Sequence, residues 1–407
     1  MLPEGWRRST LGEIARITSG GTPDRSEPSY WGGSVPWVTT GEIQFNTITD
    51  TAEKITEAGL KNSSAKLFPP GTLLMAMYGQ GKTRGQVAKL GIEASTNQAC
   101  AAILLNAGHD PDFYFQYFTF QYDAIRKLGN AGTQQNLSGG ILKGVGVPVP
   151  PIDEQRRVAQ VIGAWDEAIA KAEQLLLASR RRNKSFGTSL LSGRRRLTGR
   201  SDPWRYIDFD QMFERVPRKN ASGNDNVLTI SGEHGLISQR EFFNKSVASA
   251  DLSGYTLLRR GEFAYNKSYS VGYPMGAIKP LLKYDAGVVS SLYLCFRLRA
   301  GVDASFDFFR HYFESGLLNE GIGGIAQEGA RNHGLLNVGI GDFFKLRLHV
   351  PDADEQRAIA IAINTSEAEV QLQLRRLDAL REEKLALMQQ LLTGKRRVRL
   401  PAAESTE

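Results

Sequence analysis

The sequence predicts an α+β protein: two similar, mainly β globular domains and a pair of long helices forming an antiparallel coiled coil. Three observations carry this. The stretch Val149-Pro150-Pro151-Ile152-Asp153-Glu154-Gln155-Arg156 returns 201 residues later, without a gap, as Val350-Pro351-Asp352-Ala353-Asp354-Glu355-Gln356-Arg357. Each copy opens a heptad-patterned segment closing on Leu190-Leu191-Ser192-Gly193 or Leu391-Leu392-Thr393-Gly394, at the same offset. Ahead of each copy lie short apolar runs separated by Gly, Pro and Asn, the pattern of strands and turns. A fixed-period repeat sets the architecture. The expected division is a first domain at 1–150, a helix at 151–198, a second domain at 199–349, a second helix at 350–399 and a tail at 400–407.

In the first domain, Trp6 precedes Leu11-Gly12-Glu13-Ile14-Ala15-Arg16-Ile17 and the turn-rich Ser19-Gly20-Gly21-Thr22-Pro23. Apolar runs at 35–38, 71–77 and 99–105, each bounded by turn residues, predict a β body. The aromatic stretch from Phe113 to Leu128 predicts a helix packed on it. Gly132-Thr133-Gln134-Gln135-Asn136-Leu137 reads as a polar loop leading back toward the long helix.

One stretch here demands a decision. Ala76-Met77-Tyr78-Gly79-Gln80-Gly81-Lys82-Thr83 fits a loosened phosphate-loop pattern, with Ala where the first Gly would stand. A working phosphate loop is followed by a helix whose N-terminus holds the phosphates. Here Arg84-Gly85 follows and Gly91 ends the run, so no helix is expected, and a P-loop nucleotide-binding enzyme is the weaker alternative. The stronger reading is an exposed Gly-rich loop carrying Tyr78, Gln80, Lys82, Thr83 and Arg84, whose groups suit phosphate oxygens and base edges together. A plain hairpin with solvated charges is the bland alternative.

The helix prediction rests on spacing. Val158, Ile162, Trp165, Ile169, Ala172, Leu176, Ser179, Asn183, Phe186 and Leu190 alternate by four and three. Ile359, Ile363, Ser366, Val370, Gln373, Leu377, Leu380, Lys384, Leu387 and Leu391 repeat the series. A mostly apolar 3.5-residue period marks a coiled-coil seam. Asp153 and Asp354 suit the helix starts, and Gly193 and Gly394 suit the position just past the ends. Such a rod measures about 58 Å from Asp153 to Leu191 at 1.5 Å per residue. With the copies antiparallel and ends matched, Val158 faces Leu391 and the polar Asn183 faces Ser366. The alternative is two ordinary amphipathic helices, each packed on its own domain.

The second domain restarts the pattern. Pro203-Trp204 answers Gly5-Trp6, Thr229-Ile230-Ser231-Gly232-Glu233 echoes Val38-Thr39-Thr40-Gly41-Glu42, and Arg260-Gly261-Glu262-Phe263-Ala264-Tyr265 echoes Pro70-Gly71-Thr72-Leu73-Leu74-Met75. The offset drifts to about 190, so the loops differ in length. The counterpart of the Tyr78 loop is Asn266-Lys267-Ser268-Tyr269-Ser270-Val271-Gly272; that of the glutamine-rich loop is Gln327-Glu328-Gly329-Ala330-Arg331-Asn332-His333-Gly334. The scaffold is duplicated and the loop chemistry is not, as expected of a protein that reads two different halves of one target.

The totals agree. A chain of 407 residues, 41% apolar, supports two or three domains with real cores, and a net charge of +7 favours an anionic partner. Cys100 and Cys295 each sit alone inside an apolar run and read as buried thiols in a reducing compartment. The start lacks a signal peptide's apolar core, and no run approaches the ~20 residues that span a bilayer. A soluble, cytoplasmic protein with no membrane association is expected.

The Pro-x-x-x-Glu-Gln-Arg motifs (Pro150 to Arg156, Pro351 to Arg357), the Leu-Pro-x-Gly-Trp start, Ser19-Gly20-Gly21-Thr22-Pro23 and Asn97-Gln98-Ala99-Cys100 resemble the specificity subunits of type I restriction-modification systems. The resemblance covers essentially the whole chain; it departs where Asp352-Ala353 replaces the usual proline-apolar pair. It implies two target-recognition domains reading a split asymmetric sequence in double-stranded DNA, and two helices paired as a spacer. Two methyltransferase (modification) subunits dock on the assembly, and restriction/translocase subunits join that core. S-adenosylmethionine, ATP and magnesium are then expected on the partner subunits only. On this view the DNA-contacting candidates are Tyr78, Gln80, Lys82, Thr83, Arg84, Gln134, Gln135, Asn136, Asn266, Lys267, Tyr269, Ser270, Arg331, Asn332 and His333. The spacer-interface candidates are Val158, Ile162, Trp165, Ile169, Leu176, Asn183, Ile359, Ile363, Ser366, Val370, Leu377 and Leu391. A coiled-coil scaffold without DNA specificity is the remaining alternative.

No catalytic role is expected. The Pro-Pro pairs Pro69-Pro70 and Pro150-Pro151 do not fit the Asn/Asp-Pro-Pro-aromatic motif of amino-methyltransferases. Pro351-Asp352 followed by Glu382-Glu383-Lys384 matches a loose nuclease pattern, but Lys384 falls on the helical seam, whereas that chemistry needs a strand. His109, His234, His311, His333 and His349 show no metal-ligand spacing, and His333 alone is placed to touch DNA. The clusters Arg194-Arg195-Arg196 and Lys395-Arg396-Arg397 suit a helix C-terminus and solubility, with phosphate or partner contact as the sharper alternative.

Overall fold

The computed structural model describes residues 3–79, 81–129, 136–232, 234–243, 251–328, 334 and 336–399, the side chains of 327 and 328 excepted. The chain divides into two units, Met1–Gln174 with Arg375–Glu407, and Leu175–Leu374. Both dividing points fall inside long helices, so each unit holds one β-rich lobe and half of each helix.

In the first unit β1 (Arg7–Thr10) pairs antiparallel with β10 (Gly146–Val149), the strand that leads into the first long helix. The central sheet comprises β2 (Ala15–Ser19), β4 (Thr47–Ile48), β6 (Leu73–Ala76), β7 (Val87–Leu90) and β9 (Cys100–Leu105), in the order β2-β9-β6-β7-β4. A smaller sheet sets β3 (Trp31–Val38) between β5 (Glu53–Ile55) and β8 (Ser95–Thr96). Strand β6 is buried on both faces, and its period of two splits it between two cores. Leu73 and Met75 join Phe113, Tyr114, Tyr117 and Phe118 of helix α1 (Pro111–Phe120); Leu74 and Ala76 join Cys100 and Ala102 on the other side. The helix predicted from Phe113 to Leu128 is interrupted at Gln121 and resumes as Tyr122–Lys127.

The second unit repeats this plan. Strand β11 (Arg205–Asp208) pairs with β22 (Arg347–Val350). Strands β12 (Phe213–Arg215), β16 (Phe263–Asn266), β17 (Ala277–Pro280) and β19 (Leu294–Leu298) form a sheet in the order β12-β19-β16-β17. The ribbons β13 (Leu228–Ser231) with β14 (Gly235–Ser238), β15 (Thr256–Arg259) with β18 (Ala286–Val289), and β20 (Gln327–Glu328) with β21 (Leu336–Asn337) complete it. Order β12-β19-β16-β17 matches β2-β9-β6-β7 strand for strand. Helix α3 (Phe306–Glu314) buries Phe308, Phe309, Tyr312 and Phe313 at the α1 positions of Phe113, Tyr114, Tyr117 and Phe118, each pair 195 residues apart. Phe296 packs at 5.3 Å over Phe263 and edge-on at 5.6 Å to Phe313. Truncating such a fully buried ring costs about 3–5 kcal/mol. Cys295 repeats Cys100 in the second core, and burial pushes both thiols up to about 12.

The long helices are α2 (Ile152–Leu191) and α4 (Ala353–Leu391). In the first unit the partners of Glu154, Asp166 and Glu173 are Arg397 (2.7 Å), Lys384 (2.5 Å) and Arg381 (2.6 Å); one series rises as the other falls, so the segments run antiparallel. In the second unit Arg182 meets Glu369 at 3.7 Å and Arg196 meets Glu355 at 2.6 Å, in the same direction. Every predicted seam position is buried or half-buried. Val158 and Ile162 lie in one core with Leu391 and Met388, and Leu190 with Ile359 and Ile363. Both cores also contain lobe residues, so pairing and packing on the lobe occur together rather than as alternatives. Asn183 Oδ1 is buried without a hydrogen-bond partner, and Ser366 lines a groove with Phe186 and Arg195. Gly193 and Gly394, both at φ +73°, end the helices in the left-handed turn that an L side chain disfavours. Asp352, the departure from the motif, caps α4: its carboxylate accepts the Glu355 N–H at 2.8 Å. Among the described residues, no helix is long and apolar enough to cross a membrane.

Candidate nucleic-acid interface

Each lobe offers a loop between equivalent sheet strands. In the first, β6 and β7 are antiparallel neighbours, and residues 77–86 connect them as a hairpin loop. No helix follows Lys82-Thr83; Gly85 turns at φ +84° and its N–H returns to the Ala76 carbonyl at 2.8 Å. The phosphate-loop alternative therefore lacks its helix N-terminus. The Tyr122 hydroxyl donates to the Lys82 carbonyl, Arg126 donates to that hydroxyl at 3.0 Å, and Phe45 packs edge-on to the Tyr122 ring, so the loop is pinned from beneath. Tyr78 is 44% exposed and Lys82 is exposed, whereas Thr83 is half-buried and Arg84 is buried. Arg84 is thus part of the loop's base, a correction to the expectation that it is displayed. Gln80 lies outside the described residues.

In the second lobe the loop between β16 and β17 exposes Tyr269 and Ser270, with Asn266 and Lys267 half-buried at its foot. Asn266 Oδ1 accepts the Ser268 N–H at 3.1 Å, which turns that side chain inward on its own loop.

The structure also brings together candidates far apart in sequence. The Leu137 N–H donates to the Met77 carbonyl at 2.9 Å, and the Leu336 N–H to the Lys267 carbonyl at 2.9 Å. These equivalent bonds set Asn136 and Leu137 beside the Tyr78 loop, and Leu336 beside the Tyr269 loop. Asn136 is half-buried at that junction. Gln134, Gln135, Arg331, Asn332 and His333 lie outside the described residues.

The Glu-Gln-Arg motif proves to be a clasp. Glu154 is fully buried and accepts Trp6 Nε1 (3.1 Å) and both Nε (3.1 Å) and Nη2 (2.7 Å) of Arg397. Glu355, also fully buried, accepts Trp204 Nε1 (3.3 Å) and Nε (2.7 Å) and Nη2 (2.6 Å) of Arg196. The bidentate carboxylates hold both guanidinium pKa values above the ordinary arginine range. Gln155 joins the Asp110 N–H to the Pro150 carbonyl, and Gln356 joins the Ser305 N–H to the Pro351 carbonyl, so each ties the N-terminus of α1 or α3 to the start of a long helix. The third residue of each basic cluster is thus an internal ion-pair partner, a role neither sequence expectation gave it. The signal was present: Arg196 and Arg397 share the 201-residue offset of their glutamates.

Lys384, the last residue of the loose nuclease pattern, lies in a helix and pairs with Asp166. Among the described residues no group of three or more His, Cys, Asp or Glu could hold a metal ion.

Comparison with known proteins places this architecture. Residues 3–177 match the family model described as the type I restriction modification DNA specificity domain. The fold is shared with a structure of a type I restriction-modification system (TM-score 0.63, 15% identity, covering 97% of this chain and 100% of the other). It is also shared with the HsdS subunit from Thermoanaerobacter tengcongensis (TM-score 0.56, 16% identity, covering 97% and 98%). The specificity-domain match takes in the first lobe and the first part of α2. Among curated proteins the chain is similar to the MjaIX specificity subunit of Methanocaldococcus jannaschii, 27% identical over 173 residues (41% of this chain, 39% of the relative). It is also similar to the EcoR124I/EcoR124II specificity subunit of Escherichia coli, 24% identical over 163 residues (39% and 40%). The match thus spans about two fifths of the length of these curated relatives.

Proposed function

We propose that this chain is the DNA sequence-specificity subunit of a type I restriction-modification complex, acting without chemistry of its own. Two recognition domains, 1–150 and 199–349, each read one part of a bipartite asymmetric target. The helices within 151–198 and 350–399 act as the spacer that sets the distance between half-sites. The observation that carries this reading is a scaffold repeated strand for strand around loops of unlike sequence: Tyr78 and Lys82 are set among glycines in one, and Lys267, Tyr269, Ser270 and Val271 follow in a different order in the other. A repeated frame fixes two equivalent binding geometries, while unlike loops read unlike base edges. Among the loop candidates, exposure favours Tyr78, Lys82, Tyr269 and Ser270 as direct contacts.

Methyltransferase subunits dock on this chain, and restriction/translocase subunits join through them in the cytoplasm. Exposed apolar side chains off the helical seam, Leu175, Leu177 and Leu372 on one unit and Leu385 on the other, suit such docking. S-adenosylmethionine, ATP and magnesium belong to those partners. Methylome sequencing of a host expressing this chain with its methyltransferase subunits tests the reading. A split asymmetric motif with a fixed gap is expected; an ungapped motif, or no motif, refutes it.

A further inference from the structure

The loop between β16 and β17 is held more firmly than a solvent-facing hairpin requires. Lys279 is buried and sends Nζ to Glu314 Oε2 (2.5 Å), the Tyr273 hydroxyl (2.8 Å) and the Gly232 carbonyl (3.2 Å). The Tyr273 hydroxyl in turn donates to Glu314 Oε1 at 2.7 Å. The backbones of Ser270 and Tyr273 exchange N–H···O bonds of 3.3 and 2.9 Å, and the Tyr269 N–H reaches the Gly334 carbonyl at 2.7 Å. Gly276 closes the loop at φ +77°, where a Cβ would stand 2.3 Å from the Asn266 carbonyl oxygen.

Withdrawing an ammonium from water costs solvation that a single carboxylate barely offsets, so such a clamp adds little to stability while it fixes a shape. The shape it fixes is unusual. Val271 stands 94% exposed at the tip, with Tyr269 62% exposed beside it. An isopropyl group held in water contributes nothing to folding and is left free to meet a surface outside the chain.

We propose that Val271 reads a thymine, packing against the C5-methyl group in the major groove of the second half-site, and that Lys279, Tyr273 and Glu314 are positioning residues for that contact. The inference rests on the DNA-recognition reading above. The thymine methyl is the one apolar feature on a base edge in that groove, and it separates thymine from cytosine without a hydrogen bond. Lys267, at the foot of the same loop, supplies a cation for the neighbouring phosphates.

The test uses the full chain assembled with its methyltransferase subunits, on duplexes carrying the target found by methylome sequencing. Each thymine of the second half-site is replaced in turn by deoxyuridine, which removes only the methyl group. One replacement is expected to weaken binding about fourfold, the worth of one buried methyl group. Val271→Ser should lose that much on the natural duplex and become indifferent to the same replacement. Tyr273→Phe should reduce discrimination between thymine and deoxyuridine there, leaving sensitivity to changes in the first half-site intact. The contact is overturned, with the recognition reading still standing, if the second half-site has no thymine, if every replacement is neutral, or if the penalty persists in Val271→Ser. Unchanged discrimination in Tyr273→Phe removes the clamp from the proposal. Loss of all sequence preference in the wild-type complex refutes the recognition reading, and this contact with it.

Discussion

Replacing Arg196 by Met strips Glu355 of its cation while leaving the carboxylate fully buried, with only Trp204 Nε1 to solvate it. Removing one member of a buried pair costs about 3–5 kcal/mol. The Arg196 side chain is 26% exposed, so water already screens part of the interaction, and about 2 kcal/mol is the expected loss. For a unit of this size each kcal/mol lowers the midpoint by about 2–4 °C, giving about 4–8 °C in all. Thermal unfolding followed by differential scanning calorimetry reads it. Adding Glu355→Gln to Arg196→Met should restore much of the loss, because an amide needs no counter-charge yet still accepts the indole N–H. An Arg196→Met midpoint no lower than that of the exposed Arg194→Met would show that the clasp carries no stability. Failure of Glu355→Gln to rescue would show that stranded charge is not the cause.

Four further outcomes are expected. Lys384→Met should lower stability of the first unit by about 1 kcal/mol, through loss of the Asp166 pair, measured by chemical denaturation; a purely nuclease role predicts unchanged stability and lost cleavage. Lys82→Ala should weaken DNA binding evenly across sequences and flatten its salt dependence by about one counterion, with no ATP binding to lose; specific ATP binding abolished by the change would restore the nucleotide reading. His311 is buried against Asn364, Arg310 and Glu367, and burial holds its pKa below the ordinary value. The unfolded chain therefore binds the proton first, so stability present above about pH 6.5 declines as pH falls below it. Melting curves from pH 8 to 5 should show that slope, and His311→Gln should flatten it. Deleting 167–173 together with 377–383 shortens both helices by about 10 Å, and should narrow the gap between half-sites by about three base pairs while leaving their sequences unchanged; methylome sequencing of that variant decides.

Much of the plan was legible in the linear sequence because repetition and periodicity are properties of order alone. The 201-residue offset announced two like halves, and the 3.5-residue period marked seam positions that are all buried or half-buried. The absence of a helix after Lys82-Thr83 followed from Arg84-Gly85 and Gly91, since backbone that must turn at a glycine cannot begin a helix there. What the sequence could not supply was anything dependent on proximity in space. That Arg84 is buried, that Trp6 and Arg397 converge on Glu154, and that Leu137 bonds the carbonyl of Met77 are matters of long-range closure. Local composition shows a charge but not its partner, because free energy in an ion pair depends on distance and solvent exclusion. The exposed Val271 makes the same point from the other side: an apolar residue in a loop reads as ordinary until the folded lobe shows a buried lysine, a tyrosine and a glutamate bonded to one another at the same loop.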